Sequence, residues 1–128
     1  MNHLQLFEDF NSLPTAGPLT PRDEMMEKLR KRFPNIWIKP AEDFYKDKHP
    51  RAKYAIWTGS EGNTFVDNNK KIAAFNPTDS IFYNPKIDKS YDNEVHVTLA
   101  KFLRKNGYYA EFYDAGTIFF WPIKTPNE

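Results

Sequence analysis

The sequence predicts an α+β fold: a single domain in which an antiparallel sheet of four to six strands carries two main helices on one face. Three observations lead there. Two stretches, around residues 20–34 and 92–107, space their apolar residues as one face of a helix does, between a start signal and a stop signal. Short runs rich in aromatic and β-branched residues, "NIWIKP", "KYAIWTGS", "TFV" and "KIAAFN", are bounded by Gly, Pro, Asn or Asp, as strands are. The stretch "GYYAEFYDAGTIFFWP", residues 107–122, reads as two strands around a tight turn. At 128 residues the chain fits one domain with one core.

The elements follow in order. In "HLQLFEDF", Leu4, Phe7 and Phe10 suit one or two amphipathic turns, too short to be stable unless docked. "NSLPTAGPLTP" holds three prolines and a glycine and reads as a linker, which divides the chain into an N-terminal segment, 1–20, and a domain, 21–128. Thr20-Pro21 then opens a helix, with Thr20 as N-cap, Pro21 at the first position, and Asp23 and Glu24 at the positive end of the dipole. Met26, Leu29 and Phe33 form its apolar stripe. Arg30, Lys31 and Arg32 fall in its last turn, where cations are favoured, and Pro34 ends it; "RKR" is thus a solvated helix end before it is a phosphate site.

"NIWIKP" is a short strand closed by Pro40, and "AEDFYKDKHPRA" a turn of helix or a charged loop. "KYAIWTGS" alternates Tyr54, Ile56 and Thr58 against Ala55 and Trp57. "GSEGN" and "DNNKK" supply turns on either side of "TFV", and "KIAAFN" with "SIFYN" reads as a further strand or hairpin broken at Asn76-Pro77. "SYDNEVHVTLAKFLRKNG" is the second helix, over 92–105, capped by Ser90, Asp92 or Asn93. Val95, Leu99, Phe102 and Leu103 form its stripe, and Asn106-Gly107 is a left-handed stop. The alternation in "EVHVTL" would also suit a strand, but the stripe favours a helix. In the final hairpin Asp114, Ala115 and Gly116 fit a three-residue loop with Gly116 left-handed. Pairing across it sets Tyr109 opposite Trp121, Glu111 opposite Phe119 and Tyr113 opposite Thr117. Tyr108, Ala110, Phe112, Ile118 and Phe120 then form a core face, and Tyr109, Glu111, Tyr113, Phe119 and Trp121 a mixed face.

Composition excludes several function classes. There is no cysteine, so disulfide, thiolate and thiolate-zinc chemistry are out. A formal charge of +1 lacks the basic excess of a dedicated nucleic-acid binder. No apolar run approaches membrane-spanning length, and "MNHLQLFEDF" is not a secretory signal. "HVTL", from His96, is half of a two-histidine phosphoesterase motif, but neither His3 nor His49 is followed by Ser or Thr two residues on. Asp88, Asp92 and Glu94, with Glu111 and Asp114, could be grouped as magnesium ligands; helix-start and turn preferences explain them without metal. "TGSEGN" lacks the phosphate-loop pattern.

"HLQLFEDF" resembles the opening of many small proteins of large tailed bacteriophages. "AIWTGSEG…FN…HVTLAKFLRKNGYYAEFYDAGTIFFWP", over residues 54–122, resembles uncharacterised phage-type proteins with a helix, an Asn-Gly stop and a "YDAGT" hairpin. Leu6-Phe7-Glu8 is similar to the Leu-x-Glu cleavage sites of phage prohead proteases. The resemblance implies a viral or prophage origin, in host cytoplasm or virion, and carries no activity.

The function expected on these grounds is that of a non-enzymatic phage-type accessory protein that binds another protein, host-derived or in the particle. No cofactor, metal or catalytic residue is assigned. The binding residues expected are Tyr109, Glu111, Tyr113, Phe119 and Trp121, with Arg104 nearby. Two alternatives remain: a single-stranded nucleic-acid binder using rings such as Tyr109, Tyr113 and Trp121 with Arg104 and Lys105, and a phosphoesterase-like hydrolase using His96.

Overall fold

Alternation along the last hairpin sets the architecture, because one strand of it lies at the centre of the sheet. In the computed structural model, which describes residues 15–46, 48–75, 91–92 and 94–124, the elements run as follows. Helix α1 (Arg22–Arg32) is followed by strand β1 (Lys39–Pro40), a one-turn helix α2 (Glu42–Tyr45) and a 3₁₀ turn (Ala52–Tyr54). Then come β2 (Ile56–Gly59), β3 (Thr64–Asp67), β4 (Lys70–Ala73), β5 (Tyr91–Asp92), β6 (Val95–His96), α3 (Val97–Lys105), β7 (Tyr108–Phe112) and β8 (Thr117–Pro122). The main sheet has the order β1-β2-β8-β7 and is antiparallel throughout; β3–β4 and β5–β6 are separate two-stranded pairs. The register is the one expected from the turn, with Tyr109 opposite Trp121 and Glu111 opposite Phe119. "HLQLFEDF", "SIFYN", Asp88, Ser90 and Asn93 lie outside the described residues.

Both long helices cover one face of this sheet. Met25, Met26, Leu29 and Phe33 from the α1 region and Leu99 and Leu103 from α3 bury against Ile56, Tyr108, Ile118 and Phe120. The Phe33 ring meets Phe65 and Phe102 edge-on, at 5.3 and 5.4 Å. This is the core face read from alternation, except that Ala110 and Phe112 are only partly buried. A polar knot joins β3–β4 to the sheet. Buried Asn63 donates through Nδ2 to Thr58 Oγ1 and the Gly59 carbonyl, and accepts the Trp37 amide on Oδ1. Its carbonyl accepts from the Ala74 amide.

Several local expectations are corrected. Thr20 does not cap α1: its hydroxyl donates to Asn106 Oδ1 at 2.7 Å, and Pro21 precedes the helix without a side-chain cap. Residues 17–20 run along the end of α3 instead, with the Gly17 and Thr20 amides donating to the carbonyls of Arg104 and Asn106. The second helix starts at Val97, not near residue 92; Val95 and His96 pair with Asp92 and Tyr91 as strands. Glu94 sits in the connecting turn at φ +73°, so it does not serve the helix dipole. The alternation in "EVHVTL" was thus a true strand signal. "NIWIKP" yields only two paired residues, and Tyr54 belongs to the 3₁₀ turn rather than β2. In the last hairpin Asp114 Oδ1 accepts the Gly116 amide at 2.9 Å, and Gly116 is not left-handed. Gly107 is, at φ +87°, and a Cβ there would stand 2.7 Å from Leu19 Cα, so the expected helix stop is also a packing requirement.

Candidate functional site

The other face of the sheet is covered by a thin strap, described over residues 41–46 and 48–55. Three alanines let it approach closely: Ala41, Ala52 and Ala55 are buried and pack with Phe119 as a second core. The backbone closes on itself, with the Ala41 amide donating to the Ala55 carbonyl at 3.1 Å. Arg22, from the start of α1, clamps the strap. Its guanidinium bonds both Glu42 oxygens, at 2.6 and 3.1 Å, and reaches the Ala55 carbonyl at 3.0 Å. The fork shape of the guanidinium makes such a two-point contact specific. That hydrogen bonding holds the Glu42 carboxyl below its ordinary range, against a smaller opposing effect of burial.

Rings fill the space between strap and sheet. Tyr45 stacks on Phe119 with centroids 5.0 Å apart, and Phe44 meets Phe119, Trp57 and Tyr113 edge-on at 5.2, 5.4 and 5.3 Å. His49 lies 4.8 Å from Tyr45 and 5.1 Å from Trp121. Its Nδ1 accepts the Arg51 amide at 3.1 Å, so the neutral ring carries its proton on Nε2.

The strap stops short of β7, and a cleft of about 220 Å³ is left there. It is lined by His49, Arg51 and Tyr54 from the strap and by Tyr109, Glu111, Trp121 and Pro122 from the hairpin. Trp121 Nε1–H donates to Glu111 Oε1 at 3.0 Å, which fixes the carboxylate beside the indole. Burial pushes the Tyr109 phenol up, Glu111 adds to the shift and Arg51 opposes it, so the fields of both charges reach that phenol. The Tyr45 phenol is likewise raised, by burial first and then by Tyr113 and Glu111. Arg22 pairs with Asp23 and Glu42, and Lys28 with Glu24, whereas among the described residues no ion pair takes in Arg51 or Glu111. The cleft therefore offers one cation, one fixed anion, phenols and ring surface.

Of the residues expected from sequence, Tyr109, Glu111 and Trp121 meet in this cleft. Tyr113 is exposed beyond it, against Phe44 and Phe119. Phe119 corrects the face assignment: it is 0% exposed, the floor on which the strap sits, and has no surface to offer. Arg104 lies on α3, across the sheet from the cleft, and is not brought to it. His49, Arg51 and Tyr54 were missed. The available signal was the set of small residues, Ala41, Ala52 and Ala55, flanking a charged segment: a close-packing pattern with nothing assigned to pack on.

His96 has a structural place. It is buried, its Nδ1 accepts the Thr98 amide at 3.2 Å as the cap of α3, and its ring meets Phe65 and Tyr91 edge-on. His49 lies on the opposite side of the main sheet, with the second core cluster. A larger cavity of about 330 Å³, lined by Leu19, Pro21, Arg22, Asp23, Lys53, Tyr54 and Tyr108, has its central polar groups already engaged. Arg22 holds the strap, and the Tyr108 hydroxyl donates to the Thr20 carbonyl at 2.8 Å. Among the described residues no cluster of His, Asp and Glu suits a metal ion, and no helix is long and apolar enough to cross a membrane. Comparison with protein-family models, curated proteins and solved structures finds no match for the chain.

Proposed function

We propose that this protein works by binding another protein through the face formed by the strap and the last hairpin. The observation that carries the reading is the cleft between them. Tyr109 and Trp121, residue types that dominate binding energies at interfaces, stand there half exposed beside an arginine and a glutamate that do not pair with each other. The phage-type resemblance of residues 54–122 directs the search for a partner to host proteins and particle proteins.

The test is a comparative capture. The tagged protein and its Tyr109→Ser and Trp121→Ala variants are each exposed to host lysate and to particle proteins, after confirming that all three unfold cooperatively. The reading expects a protein retained by the parent and lost by both variants. Identical retention by all three would remove this face from the function. Oligonucleotides run alongside: salt-dependent quenching of tryptophan fluorescence, absent from Trp121→Ala, would reassign the face to single-stranded nucleic acid.

A further inference from the structure

We propose that the cleft receives a cationic side chain of the partner, a lysine or arginine, seated against Trp121 and Tyr109 with Glu111 as its counter-charge. This deepens the protein-binding reading and rests on it. Three features of the site favour a cation over an anion. The Glu111 carboxylate is held at a fixed place by the indole N–H at 3.0 Å, and that bond occupies only Oε1, leaving Oε2 to accept from a guest. Trp121, Tyr109 and Tyr54 contribute aromatic walls, and ring faces attract cations and repel anions. A ring on this side of the molecule already holds an ammonium group: Lys39 Nζ lies 5.6 Å from the centroid of Trp57.

Arg51 is the group that argues the other way. Both charges are exposed, but Arg51 is on a long side chain that can turn into solvent, whereas Glu111 is tethered by its bond to the Trp121 indole. It therefore acts as a competitor for the cation's place, and this gives the proposal a distinctive signature. Removing Arg51 should strengthen binding of a cation, and removing the charge of Glu111 should weaken it. An anionic guest would show both effects reversed.

The experiment follows the Trp121 indole N–H resonance by two-dimensional NMR while blocked amino acids are added: Nα-acetyl-lysine amide, its neutral isostere Nα-acetyl-norleucine amide, and Nα-acetyl-glutamate amide. The lysine derivative is expected to shift the resonance saturably, in the millimolar range, and the norleucine derivative to bind at least about tenfold more weakly. Glu111→Gln, which can still accept the indole bond, should weaken lysine binding by about the same factor, and Arg51→Ala should tighten it. Saturation by the glutamate derivative that requires Arg51, equal response to lysine and norleucine, or no saturable shift by any probe would each overturn the proposal. The two levels stay separable. If Glu111→Gln captures the protein partner as well as the parent does while Trp121→Ala does not, the face binds protein without a cation, and only the further inference fails.

Discussion

The two faces of the central sheet are built from the same strands and end differently. On the helix side, α1 and α3 bring Met25, Leu29, Phe33, Leu99 and Leu103 onto Ile56, Ile118 and Phe120, all buried. On the strap side a single layer of chain, anchored by three alanines and Arg22, covers Phe119 and leaves the β7 edge of the hairpin half open. Two helices can bury a whole face; the strap seals Phe119 but stops short of β7, and Tyr109, Glu111 and Trp121, near the end of β8, stand along the margin it leaves half open. The contrast teaches that alternation divides a strand into two sets of side chains but does not say which set is the solvated one. Both sets of this hairpin have a core.

The largest test of that view compares Phe120 with Phe119. Both are 0% exposed, on opposite faces. Each replacement by alanine should cost about 3–5 kcal/mol in denaturant titrations. A loss of under about 1 kcal/mol for Phe119→Ala would mean that the strap side is no core at all. Phe112, grouped with Phe120 by alternation, is only partly buried, and its replacement should cost clearly less.

Neighbouring tyrosines sharpen the comparison. Tyr108, on the helix side, is 1% exposed, and burial pushes its phenol up to about 12, with Arg22 opposing. A phenol raised from about 10 when unfolded binds its proton more tightly in the folded state. The stability it contributes is present below pH 10 and is lost as pH rises towards 12, about 2–3 kcal/mol in all. Tyr108→Phe should flatten that alkaline decline in pH-dependent unfolding. Tyr109, 44% exposed on the strap side, should ionise earlier in an ultraviolet titration. If Tyr108 titrates first, the assignment of inside and outside is reversed.

The clamp gives the next smaller effect. Arg22→Met removes the two-point bond to Glu42 and the bond to the Ala55 carbonyl, and should cost about 1–3 kcal/mol. Because the Glu42 carboxyl is held below its ordinary value, the pair stabilises the fold at pH above the unfolded carboxyl's range and fades as pH falls through the lowered one. In Arg22→Met that part of the acid-side decline should vanish. An unchanged acid limb would show that the strap is held by its rings alone.

Much of this was legible in the sequence, and the reasons for the misses are physical. The hairpin register followed from turn chemistry and period-two alternation, and the α1 stripe from helical spacing, because both are local signals. The turn of helix in the strap was legible, as α2, but the docking of the strap on the sheet was not. Its function depends on a contact between Arg22 and Glu42, twenty residues apart, and on alanines whose small size means nothing until their partner is known. His96 depends on tertiary context in the same way: its capping of α3 by Nδ1 and its burial against Phe65 and Tyr91 are not written in "HVTL". The start of the second helix was placed too early because its apolar stripe included Val95, which is buried as strand rather than as helix.

The smallest stability effect belongs to the cleft, and it decides what the strap side is for. Tyr109 is exposed at a strand position whose face is not sealed, and Glu111 bonds only an indole N–H across the pair. Tyr109→Ser and Glu111→Gln should each shift stability by no more than about 0.5 kcal/mol. These side chains alternate onto the sheet face opposite the helix-side core, and glutamine preserves the acceptor for Trp121. A site kept for binding should thus lose its partner at little cost to the fold, whereas a site kept for structure should lose stability when altered. If Tyr109→Ser lowers the denaturant midpoint as much as Phe119→Ala does, the two sheet faces are equivalent, and the cleft is an ordinary packing irregularity between a strap and a strand.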